Sequence, residues 1–135
     1  MRTITICFLV FLSAACCLGR VRADGNELLP KCAAVVSWLD KAGGATHDLD
    51  VGYCSGFITA VLDVNELWKL NDSAHSLKDD FKWHVCVPSE GIDIGQATRI
   101  VVKWLREHPQ ELHKPAGALV LAALQPVFPC KDLLR

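Results

Sequence analysis

What is missing narrows the reading of this chain quickly. No His-Glu-x-x-His, no Gly-x-Ser-x-Gly and no glycine-rich phosphate loop occurs in its 135 residues. The local signatures of zinc peptidases, serine hydrolases and nucleotide-binding enzymes are therefore absent. No two cysteines stand at Cys-x2-Cys spacing, and His84-x-Cys86 is isolated, so neither a metal nor any other cofactor is expected. A basic excess is lacking too: 14 Lys+Arg face 15 Asp+Glu, which argues against nucleic acid as a partner. Strand-like alternation, internal repeats and low-complexity segments are also absent. The titratable residues that remain form no catalytic constellation. His47, His75 and His84 lie in polar stretches and read as solvated; His108 and His113 flank a proline turn, out of phase for one helical face. Asp63 reads as a carboxylate on a helix surface.

Only one long hydrophobic run is present, and it lies at the start. Ile4 to Leu18 is apolar apart from Thr5 and Ser13, follows Arg2, and leads to Val21-Arg22-Ala23. That is the build of a secretory signal peptide cleaved after Ala23, with residues 24–135 as one mature domain. A run this short, followed by Arg20 and Arg22, suits a membrane span poorly. A rival reading ends a lipoprotein signal at Cys16 or Cys17, although Ser13-Ala14-Ala15-Cys16 lacks the leucine usual three places before such a cysteine. Cleavage after Ala23 removes three arginines and no acid, so 11 Lys+Arg remain against 15 Asp+Glu, a net charge of −4. That mild acidity is compatible with a basic protein partner. Cleavage also removes Cys7, Cys16 and Cys17. Cys32, Cys54, Cys86 and Cys130 remain, and four cysteines in a short exported chain imply two disulfides with three possible connectivities.

Apolar periodicity predicts four helices, an all-α fold. Leu28, Leu29, Cys32, Val35, Val36 and Leu39 form one stripe over about 26–41, stopped by Gly43-Gly44. A second helix, capped by Asp48 or Asp50, runs to about Leu70. It is apolar over most of its circumference, and Gly52, Gly56 and Ala60 would admit a neighbouring backbone closely. Residues 69–92 read as an irregular polar connection. Asp93-x-x-Gln96 resembles a capping box for a third helix with Ile94, Ala97, Val101, Trp104 and Leu105 inward, ended by His108-Pro109. Pro115 suits the first position of a fourth helix, Ala116–Leu124, which has no charge and is expected to be buried. If the first two helices form a hairpin, Cys32 and Cys54 meet at one height. Cys86 before helix three and Cys130 after helix four likewise meet. The expected pairs are therefore Cys32–Cys54 and Cys86–Cys130.

The spacing of several motifs resembles a known family. Cys54-x-Gly56-Phe57-Ile58-x-x-Val61-x-Asp63, Cys86-x-Pro88, Gly91-Ile92-Asp93-x-Gly95-Gln96 and the block from Val101 to Ala116, followed by Phe128-Pro129-Cys130, are similar to the Rap/Tai immunity proteins. The resemblance implies a disulfide-bonded, all-helical, periplasmic protein, commonly a homodimer. Its partner would be a cognate type VI secretion peptidoglycan amidase, whose active-site groove it blocks. A homodimer is also expected because helices two and four are each apolar on more than one face. The polar 69–85 connection is the expected partner-binding segment: Phe81 and Trp83 are aromatic anchors among charges, beside the acidic pair Asp79 and Asp80. A bland reading has both rings pinning the loop to the core and Asp79-Asp80 forming a solvated turn. Alternative functions are a small helical stress chaperone of the periplasm and an envelope interaction module.

Overall fold

The first helix begins where Asp24 redirects the chain. In a computed structural model that describes residues 23–40, 48–75 and 84–130, the Asp24 side chain accepts the Glu27 N–H at 3.0 Å and caps α1 (Gly25–Leu39). The cap satisfies one of the four amide donors that every helix start leaves open. Leu28, Cys32 and Val35 recur at three- and four-residue steps and are buried. Gly25 is required by packing: a Cβ there would lie 2.6 Å from Leu119 Cδ1 and 2.9 Å from the Leu112 Cα.

The second helix, α2 (Asp48–His75), runs five residues past the expected end at Leu70. Asn71, Asp72 and Ser73 form helix poorly alone, but adding residues to an existing helix is far easier than nucleating one. Lys69 also pairs with Glu66 at 2.8 Å across the last apolar turn. Asp48 and Asp50 sit inside the first turn rather than before it, where negative charge favours the helix dipole.

Asp93 caps α3 (Ile94–Glu107), accepting the Gln96 N–H at 3.0 Å, the forward half of the expected capping box. The helix stops at His108, pushed to φ −126° and ψ 56° before Pro109. A single 3-10 turn, Pro109–Glu111, leads to α4 (Ala116–Leu124). Pro115 is the residue before that helix and not its first position: its ψ of 129° is extended, and it pairs with Asp24 in an antiparallel bridge. The Ala116 N–H, which Pro115 leaves at the helix start, donates to the Ala23 carbonyl at 3.0 Å.

The four helices pack as one bundle, α1 chiefly on α2 and α3, and α4 chiefly on α3 and α2. Leu28, Ile58, Val101, Leu105, Leu119 and Leu124 fill the centre. Thr98 and Val102 of α3 are buried as well, whereas Ile94, expected inside, is 36% exposed at the helix start. Both expected disulfides are present, with Cα separations of 5.2 Å for Cys32–Cys54 and 4.9 Å for Cys86–Cys130. Each stabilises by about 3–4 kcal/mol in the chain-entropy account. The second lies beside a two-residue antiparallel contact: Val85 bridges Pro129, and the Cys86 N–H donates to Phe128 O at 2.9 Å.

Candidate functional site

Two features of α2 carry the chemistry that the described residues offer. The first is Asn65, which is 1% exposed. Its Nδ2 donates to the Val85 carbonyl at 2.8 Å, and its Oδ1 accepts the Val85 N–H at 3.0 Å. A side-chain amide thus replaces the strand that an extended residue would otherwise need, because it supplies one donor and one acceptor side by side. Buried backbone groups must be paired, so this clamp lets residues 84–86 enter the protein as extended chain. It also explains His84, which is 5% exposed although its polar neighbours predicted a solvated ring. Sequence reasoning missed Asn65, since its partner lies 20 residues away.

The second feature is an apolar groove of about 430 Å³ between α2 and α4. Phe57, Ala60, Val61, Val64 and Trp68 line it from α2, at steps of three and four that keep them on one helical face. Leu121 and Ala118 form the α4 wall, and Gly117 lies against Val61, where a Cβ would make an ordinary van der Waals contact at 3.7 Å from Val61 Cγ2. Of the described residues that line it, Asn65 alone has a side-chain amide, which is already engaged, and Trp68 adds only an indole N–H. Among the described residues, helix four is therefore covered on one side only. Gly52 and Gly56 lie further along α2, and nothing stands within 4 Å of where their Cβ atoms would be. The close backbone neighbour expected at these glycines is not supplied by the described residues.

Titratable groups lie apart from both features. Glu111 is held below the usual carboxylate range chiefly by its hydrogen bond from Lys114. Tyr53 is pushed up, first by burial and then by the Glu27 carboxylate, with Lys31 Nζ 3.8 Å above its ring. His108 stacks on Trp104, ring centroids 4.0 Å apart, and its Nδ1 lies 2.8 Å from the Trp104 carbonyl. The four cysteines are consumed in disulfides. Among the described residues no group of three His, Cys, Asp or Glu could hold a metal ion, and no helix is long and apolar enough to cross a membrane.

Asp79, Asp80, Phe81 and Trp83, the expected partner-binding residues, lie outside the described residues. What is described is how the flanks of their segment are held: α2 on one side, and on the other the Asn65–Val85 clamp with the Cys86–Cys130 bond.

No curated protein and no solved structure matches the chain. A family model described as Rap1a immunity proteins matches residues 24–130, from the α1 cap to the last disulfide cysteine. The match covers 107 of the 135 residues (130 − 24 + 1) and includes all four described helices. The chain belongs to the Rap1a immunity protein family, which is non-enzymatic.

Proposed function

We propose that the chain, after removal of residues 1–23, is a periplasmic immunity protein. It binds a type VI secretion peptidoglycan amidase and inhibits it by occluding the active site. The observation that carries this reading is the family match. It spans the doubly cross-linked helical unit and starts at Asp24, the residue after the proposed cleavage site. Inhibition by occlusion requires only a rigid, preorganised surface, and two disulfides across four helices favour rigidity. A net charge of −4 after processing suits an enzyme whose groove accepts an anionic cell-wall polymer.

The proposed contact residues are Asp79, Asp80, Phe81 and Trp83, and the proposed assembly is a homodimer. The test is co-expression of the full precursor with a candidate amidase directed to the periplasm, followed by an assay of the purified pair on isolated peptidoglycan. Growth rescue with stoichiometric loss of hydrolysis supports the reading. Undiminished hydrolysis by every amidase encoded beside the immunity protein would falsify it. Within a complex, Trp83→Ala should weaken binding by about 2 kcal/mol or more with an unchanged melting temperature if the ring is an anchor. If the ring instead pins the segment to the core, the same change lowers stability by about 3–5 kcal/mol.

A further inference from the structure

We infer that Asn65 is a positioning residue for partner recognition. By holding Val85 from α2 it fixes where the chain re-enters the fold, two residues after Trp83, an assignment that rests on the immunity reading above and its contact residues. Asn65 is 1% exposed, too deep to touch a partner. It acts through the residues it holds.

Packing alone does not account for an amide at this place. Ile58, Val61 and Trp68 share its face of α2 at steps of three, four and seven, and all are apolar, so the surroundings favour an aliphatic side chain. A buried amide loses its hydration unless both ends are bonded. Here both ends go to one residue: Nδ2 donates to the Val85 carbonyl at 2.8 Å, and Oδ1 accepts the Val85 N–H at 3.0 Å. Two directional bonds set the orientation of Val85 as well as its place.

The other described ties on this stretch run to the C-terminal chain. The Cys86 N–H donates to the Phe128 carbonyl at 2.9 Å, Val85 bridges Pro129, and Cys86 is bonded to Cys130. Asn65 supplies the link to α2, and α2 also carries the other flank of the contact residues, since it ends at His75. Along that helix Asn65 and His75 lie about 15 Å apart, at 1.5 Å per residue. The chain from His75 to His84 can reach about 30 Å, twice that distance. Covalent length therefore does not fix the course of the segment, and its anchors carry that task. Trp83, two links from Val85, stays within about 7 Å of it. Loosening Val85 gives the contact residues more room, and ordering them on binding then weakens the complex.

The test uses protein exported and oxidised from the full precursor, with Leu105→Ala as a control that destabilises at least as much. At a temperature where circular dichroism shows each variant folded, Asn65→Ala should raise the Kd for the amidase about tenfold, the equivalent of ordering one or two more side chains. Leu105→Ala should leave the Kd unchanged. Asn65→Asp adds a pH profile, and carries the test if Asn65→Ala does not fold. Ionised, its carboxylate sets an oxygen against the Val85 carbonyl; protonated, it offers one donor and one acceptor as the amide does. Relative to the unmodified protein at each pH, its Kd should be raised at neutral pH and recover in acid, whereas that of Asn65→Ala should not recover. Without amidase, trypsin cleavage after Lys82, as a ratio to cleavage after Lys103 of α3, should rise severalfold in Asn65→Ala and stay level in Leu105→Ala. Equal affinity loss in both variants, or in neither, overturns the inference. So does a cleavage ratio that rises alike in both, or an Asn65→Asp profile without recovery in acid. If the unmodified protein binds no amidase, the immunity reading falls and this assignment with it. If it binds and Asn65→Ala binds equally well, only the assignment falls.

Discussion

Helices α3 and α2 share a core but use their surfaces differently. Of the 14 residues of α3, six are buried, and they fall on one continuous stripe with charged residues opposite. Among the α2 residues from 49 to 71, only Cys54, Ile58 and Asn65 are buried, although Val64, Leu67, Trp68 and Leu70 are apolar. For α3, sequence pattern and burial coincide because its apolar stripe is as wide as the surface its neighbours cover. For α2 they diverge because the other three helices together cover one side only. Apolar pattern thus reports how much surface a helix needs covered, and the difference from observed burial reports what the other described helices leave uncovered.

Four variants would sharpen or break that contrast, and a fifth tests a surface ion pair. Replacing Cys86 and Cys130 together by alanine should lower stability by about 4 kcal/mol, because a 44-residue separation is no longer closed in the unfolded chain. Chemical denaturation of the oxidised variant would measure it, and an unchanged midpoint would mean that the C-terminal bridge holds without its bond. Leu105→Ala, in the fully buried stripe of α3, should lower stability by about 3 kcal/mol. Asn65→Ala should lower it by about 2 kcal/mol, since the Val85 N–H and carbonyl lose both partners in a buried place. Faster amide exchange at Val85 would localise the effect. Trp68→Ala, on the open face, should change the stability of dilute, one-chain protein by less than about 1 kcal/mol. A loss as large as that of Leu105→Ala would show that α2 is closed on both sides, and the contrast would collapse.

The smallest effect belongs to Glu111. Lys114 holds its carboxyl below the usual range, so the folded state binds this proton less readily than the unfolded one. The resulting stability is present above the ordinary carboxylate value of about 4.3 and is lost as pH falls through the lower folded value. Glu111→Gln should flatten the stability-against-pH slope in that acidic window, leaving stability below it unchanged and lowering it only slightly at neutral pH, because the pair is largely open to solvent.

Much of the fold was legible because its determinants are local. The Asp93 cap, the Pro109 stop and the apolar stripes of α1 and α3 act within one or two helical turns, and the sequence displays them directly. Even the disulfides followed, since antiparallel neighbours with short connections leave few ways to bring four cysteines together. The true end of α2 at His75 was not legible: helix propagation carried past residues whose own preference is weak. Pro115 was misplaced by one position because its extended backbone serves a pairing with Asp24, 91 residues earlier.

By itself, then, the sequence determined the helical class, the two cross-links and the family, through patterns whose parts are near one another or in a fixed order along the chain. Only the tertiary structure decided that Asn65 stands in for a strand beside Val85, that His84 lies inside, and that the other described residues leave one apolar face of α2 uncovered. Those outcomes depend on which elements arrive at the same place, and a polar side chain does not reveal its partner until the backbone group 20 residues away is brought against it.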